Sequence, residues 1–258
     1  MSKFSDSIAL IDSHVHVGKF FNRYNSPIMI SSLMRCLGVT KYVVSSTTIC
    51  NEDYPRVIEE FHQLMSLDAD RVLPVMWITP EGLKGNIAWF LDSDIKWKCL
   101  KIHPELHPYG WFEGTFLIQE VIDIAREMSL PLLIHTGEKE SSQCCKFEEI
   151  IANNQDVPII LAHGRPIKDA IRIAKDYDNA FIDSAFMPVE DMKKIIECGL
   201  SDKLLWGTDM CIPKYFFPET NMKRYYIHKL NTFKGYCSFE QFKEVTHINA
   251  AKLFKIDT

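Results

Sequence analysis

Short runs of β-branched and other apolar residues alternate with longer segments of helical periodicity along the whole chain. The runs cover 8–12, 41–46, 72–78, 97–103, 131–135, 157–163, 180–184 and 203–207, each the length of a strand buried on both faces. Between them, Leu117, Val121, Ile124 and Met128 recur at spacings of four and three, which puts them on one face of a helix predicted over 115–129. Similar patterns predict helices over 28–37, 56–67, 147–153, 167–176 and 189–198. Pro27, Pro55, Pro166 and Pro188 stand near their starts, where a missing backbone N–H costs little.

The strand starts lie roughly 23 to 34 residues apart, room for a strand, a helix and two short loops, so consecutive units can pair in parallel through right-handed crossovers. Eight such units in one piece predict an α/β fold, a single-domain (β/α)₈ TIM barrel over 1–258. The segment 213–234 reads as an extended final loop before a last helix over 239–254. An open doubly wound sheet is the alternative, but it usually has fewer strands, and no G-x-G-x-x-G is present.

Composition narrows the function. The chain is 47% hydrophobic and 24% charged, with a net charge of −5, ordinary for a globular protein. No run of Lys or Arg supplies the basic face that nucleic acid or an anionic membrane requires, so the expected partner is a small-molecule substrate. No apolar stretch reaches the roughly 18 residues of a membrane span. The start lacks an apolar signal region, and the 8 cysteines show no C-x-x-C spacing; both point to reduced thiols in the cytoplasm. A homo-oligomer is compatible with all of this.

In such a barrel the site lies at the C-terminal ends of the strands, so the polar residues there are the candidates for chemistry. They are Asp12-Ser13-His14-Val15-His16, Lys101-Ile102-His103-Pro104, His135-Thr136-Gly137-Glu138, His163-Gly164-Arg165-Pro166 and Gly207-Thr208-Asp209. His14 and His16 share a face by strand alternation and can reach one cation. Chance alone gives on the order of 0.3 His-x-His pairs in such a chain, so the pair is weighed by its company: His135, His163 and Asp209 around the same barrel mouth. Neutral imidazoles with a carboxylate suit Zn²⁺, with Mn²⁺, Fe²⁺ or Co²⁺ as alternatives. Each residue alone is equally well read as a hydrogen-bonded core or surface group. His103 shares a face with Lys101, and substrate contact or plain hydrogen bonding suit it equally. Arg165 can clamp a substrate carboxylate, although an ion pair with Glu138 is the simpler expectation. Cys211 reads as a small loop residue, and Trp111, Phe112, Phe216 and Phe217 as pocket walls or oligomer contacts.

Asp-x-His-x-His after the first strand, His after the fifth and sixth, and Gly-Thr-Asp after the eighth resemble the amidohydrolase superfamily. The closest likeness is to its branch of compact metal-dependent hydrolases and nonoxidative decarboxylases. Leu204-Leu205-Trp206-Gly207-Thr208-Asp209 and the segment 246–254 look like that branch too. The resemblance implies one or two divalent ions held by His14, His16, His135 and Asp209, with His163 binding a second metal or the substrate oxygen. It also implies Asp209 as general base and His163 as a second catalytic group. Lys101 matches members in which a carbamylated lysine bridges two metals, and a Lys⁺ facing an anion reads equally well. The expected activity is hydrolysis of a small amide, lactone or ester; decarboxylation of a small acid is the alternative. A structural barrel is disfavoured by the intact ligand set and a nuclease by the net charge.

Overall fold

The computed structural model describes residues 9–107, 110–111 and 116–256. The expected strand start at residue 8, the helix start at Thr115, and Phe112 lie outside the described residues. Nine strands form one curled sheet: β1 (Leu10–Phe20), β2 (Arg23–Asn25), β3 (Val39–Ser46), β4 (Val72–Trp77), β5 (Cys99–Ile102), β6 (Leu132–His135), β7 (Ile159–Ala162), β8 (Ala180–Asp183) and β9 (Leu204–Leu205). From β1 through β3 to β9 every neighbouring pair is parallel, and β2 folds back antiparallel on the end of β1. The barrel closes where Ser13 N donates to Trp206 O at 2.8 Å and Asp209 N to His14 O at 2.9 Å. The eight parallel strands are the eight predicted ones.

Strand alternation divides the core in two. Inward residues Ile11, Val43, Leu73, Val75, Cys99, Leu133, Ile160 and Leu205 fill the barrel, which Ala250, Ala251 and Phe254 plug from below. Outward residues such as Val44, Met76, Leu100, Ile134 and Leu161 pack on helix faces through Ile30, Phe61, Leu64, Val121 and Ile173. Each such side chain contributes about 1.5–3 kcal/mol through burial. The inward positions continue upward into polar residues: Val43 leads to Ser45, Val75 to Trp77, Cys99 to Lys101 and His103, Leu133 to His135. The period that fills the barrel with hydrocarbon therefore also aims the site residues at its mouth.

Three expectations are corrected. The first strand runs to Phe20 rather than ending at Asp12, so His14 and His16 lie inside it, with a register shift between Asp12 and Val15. The presumed loop 213–234 contains the helix Met222–Lys234, capped by Asn221, which accepts from Arg224 N. Met222, Tyr226, Lys229 and Phe233 are its buried face; a lysine at an apolar position concealed the period. The last helix, 239–254 by periodicity, is interrupted by a π-turn, Glu244–Ile248. All eight cysteines are free. Among the described residues, no helix is long and apolar enough to cross a membrane.

Candidate metal centre and active site

A cavity of about 770 Å³ opens at the C-terminal ends of the strands. His14, His16, Lys101, His103, His135, His163, Arg165 and Asp209, every residue singled out for chemistry, line it. Within it, His14, His16 and Asp209 form a buried group whose ligand atoms all lie within 4.8 Å of one another. His16 Nε2 stands 2.9 Å and His14 Nε2 3.6 Å from Asp209 Oδ1. Burial, with the charge of Lys101 adding to it, pushes the His16 imidazole down to about 3, so the ring is neutral. Burial works against the Asp209 carboxylate, but the His16 hydrogen bond and the neighbouring His14 outweigh it and hold the group well below the usual carboxylate range.

The far sides of these rings are also held. Asp183, at the end of β8, places Oδ1 3.2 Å from His14 Nδ1 and accepts from Ser13 Oγ at 2.6 Å and from Ala185 N at 2.8 Å. An ionised carboxylate only accepts, so His14 carries its proton on Nδ1 and presents a bare Nε2 to the cavity. Ser45 Oγ is 3.0 Å from His16 Nδ1, and a hydroxyl serves either tautomer. A Cβ on Gly207 would overlap the Asp183 carboxylate, which is why glycine opens the Gly-Thr-Asp turn.

Asp12, the first residue of the motif, ties down that turn. Its Oδ2 accepts from Thr208 Oγ1 at 2.6 Å, and its Oδ1 accepts from Thr208 N and His14 N, each at 3.2 Å. Asp209, at φ 60°, is thereby held in the left-handed region, as is His163 at φ 68°; for non-glycine residues this conformation persists only where surroundings enforce it. Asp12→Ala strands three donors in a dry interior, and a loss of about 3 kcal/mol is expected. Thr208→Val removes one partner and is expected to lose about 1 kcal/mol. Urea unfolding measures both, and equal losses would show that Asp12 does not act as the clasp.

The chemistry of the donor set fits a cation. The bare His14 Nε2 already meets a cationic group, the Lys101 amine at 3.1 Å, which also lies 3.5 Å from His16 Nε2. Burial lowers the Lys101 amine to about 8. Beside this group, His163 Nδ1 donates to Ala185 O at 2.8 Å, which leaves its Nε2 as an acceptor 3.1 Å from His135 Nδ1. On its other side His135 Nε2 faces the Glu105 carboxylate at 3.5 Å. His135 therefore stands between two acceptors, while burial disfavours the imidazolium that could serve both.

His135 is not within the three-residue group; its Nδ1 lies 3.1 Å from Nε2 of His163, whose ring in turn stacks on His14 at 5.3 Å. His103 lies between Trp77 and His135, its ring 3.6 Å from that of His135, and its Nδ1 accepts from Leu106 N. Arg165 makes no ion pair with Glu138 among the described residues. Its Nη2 instead donates to Phe186 O at 3.0 Å, which leaves the guanidinium at the cavity wall. Burial pushes the Cys211 thiol up to about 12, so it stays protonated. Phe216 and Phe217 wall the cavity, whereas Trp111 is buried away from it. Sequence reading missed Asp183, Glu105, Ser45 and Trp77. Asp183 could have been found by applying to the seventh predicted strand the end-residue test used on five of the others.

These observations converge with comparisons to known proteins. The amidohydrolase family profile matches residues 11–256, and the chain belongs to that family of enzymes. No curated protein matches the sequence. Solved structures share the fold. An uncharacterized TIM-barrel protein from Bordetella bronchiseptica is 13% identical with a TM-score of 0.72, over 96% of this chain and 99% of that one. A 5-carboxyvanillate decarboxylase from Novosphingobium aromaticivorans, complexed with manganese and 4-hydroxy-3-methoxy-5-nitrobenzoic acid, is 10% identical with a TM-score of 0.63, over 96% of each chain. A probable 2-pyrone-4,6-dicarboxylic acid hydrolase from Acinetobacter baumannii, with citric acid bound, is 12% identical with a TM-score of 0.61, over 95% and 99%.

Proposed function

We propose that the protein is a metal-dependent hydrolase of a small amide, lactone or ester. The observation that carries this reading is the buried group of neutral His16, the bare His14 Nε2 and ionised Asp209 at the floor of a substrate-sized cavity. His14, His16 and Asp209 would hold one divalent ion, with Zn²⁺ the first to test and Mn²⁺ the second. His135 and His163 would complete the site or hold a second ion, with Lys101 joining them if that amine is carbamylated. Bound there, such an ion supplies Lewis acidity that polarises a water or a substrate carbonyl. Asp209 takes the proton of the attacking water and delivers it to the leaving group. His163 positions the substrate oxygen, and His103 and Arg165 contact the rest of the substrate from the wall.

A second reading, decarboxylation of a small acid, is favoured by one feature: the Arg165 guanidinium at the wall, without a carboxylate partner among the described residues, suited to a substrate carboxylate. One experiment separates the two. Chelator-treated protein is reloaded with Zn²⁺ or Mn²⁺, with and without bicarbonate, and offered lactones, esters, amides and aromatic carboxylic acids. Metal-dependent hydrolysis supports the first reading and metal-dependent CO₂ release the second. Bicarbonate-dependent recovery assigns Lys101 as a carbamate, and turnover indifferent to metal overturns both readings.

A further inference from the structure

The cavity changes chemistry between its floor and its rim. Imidazoles and a carboxylate form the floor, whereas aromatic rings from three segments line the outer wall: Phe20 and Phe21 at the turn from β1 to β2, Phe186 after β8, and Tyr215, Phe216 and Phe217 after β9. These rings form a continuous run. The Arg165 guanidinium carbon lies 5.9 Å from the Phe186 ring centre, Phe186 lies 6.0 Å from Phe216, Phe216 lies 5.3 Å from Tyr215, and Tyr215 stacks on Phe21 at 5.2 Å. Arg23 Nη1 donates to Lys214 O at 2.8 Å and so ties the β1–β2 hairpin to the segment after β9.

Packing does not account for the outer end of this run. Phe21, Phe216 and Phe217 are 60%, 58% and 59% exposed, and a contiguous apolar surface left in water marks a place where something binds. Its continuity with the cavity identifies the occupant as the molecule that enters there. The cavity, at about 770 Å³, accommodates a drug-sized ligand, far more than a polar group at the metal ligands fills. We propose that the substrate joins a polar group facing His14, His16 and Asp209 to an apolar body longer than a single ring, which lies along Phe186, Tyr215 and Phe216 and reaches the rim. The inference rests on the reading of this cavity as the substrate site, not on which reaction occurs there.

The test holds the polar head constant and lengthens the body. Acetohydroxamate, benzohydroxamate and 4-phenylbenzohydroxamate are titrated calorimetrically into Zn²⁺-loaded protein. Burial of apolar area predicts that each added ring tightens binding by about tenfold to a hundredfold. In the double variant Phe216→Ala/Phe217→Ala the gain from the second ring is expected to shrink by about tenfold, while the gain from the first ring persists. Both side chains are exposed, so the variant should fold; if it does not, Phe21→Ala probes the hairpin side of the rim in the same way. Equal affinity for the one-ring and two-ring probes, or a second-ring gain that survives the rim substitutions, overturns the proposal. So does a dimer, seen by sedimentation, that the rim substitutions dissociate, because a second copy would then cover these rings. Graded binding that depends on the rim, without metal-dependent turnover of any ester, lactone or amide, supports this proposal and counts against the hydrolase reading alone.

Discussion

Asp209→Asn is expected to lower turnover by about 10²- to 10⁴-fold, the usual weight of a positioned general base. The amide keeps the shape of the carboxylate and can still occupy the space beside His16, whose Nε2 lies 2.9 Å from Asp209 Oδ1, but it cannot take a proton. The backbone around it is secured independently, with Asp209 N donating to His14 O at 2.9 Å and Ile212 N to Asp209 O at 2.7 Å, so the substitution should leave the turn in place. Asp209 also belongs to the proposed ligand group, so the measurement is made at saturating metal, where a weakened affinity no longer limits the rate. Near wild-type turnover under that condition, with an unchanged acidic limb in the pH profile, would remove Asp209 from the base role.

The fold was legible because strand and helix periods survive in the sequence wherever packing decides the residue. Val43, Leu73, Val75, Cys99 and Leu133 face hydrocarbon inside the barrel, and their polar successors at intervals of two mark the mouth. What escaped notice are groups whose meaning lies in a partner far along the chain. Asp183 is 169 residues from His14, and Asp12 is 196 from Thr208; neither relation leaves a local spacing. Glu105 finds its place beside His135 because a Cβ at Gly137 would crowd it, and because Ser142 and Lys139 converge on its carboxylate. The helix Met222–Lys234 was hidden by Lys229, a buried amine whose Nζ donates to Ser184 O at 2.5 Å and to Gly207 O at 3.2 Å. That lysine breaks the apolar pattern to hold the carbonyls at the ends of β8 and β9, just before Asp209.

Replacing both His14 and His16 with Ala is expected to abolish tight metal retention, because each supplies one of the three donors in the buried group and structural and catalytic sites alike hold ions through only three or four protein ligands. The outcome must be separated from collapse of the barrel. Truncating two buried imidazoles removes packing and frees Asp183, which would still accept from Ser13 Oγ and Ala185 N, so a folded but less stable protein is expected. Asp183→Asn provides the comparison: it leaves both imidazoles and nearly all volume in place while weakening the hold on His14 Nδ1, and a loss of about 10- to 100-fold in metal affinity is expected from it. Elemental analysis after dialysis against a metal buffer ranks the three proteins, with circular dichroism confirming that each is folded. Metal content unchanged in the folded double variant would mean that the ion sits elsewhere, with His135 and His163 the next donors to replace.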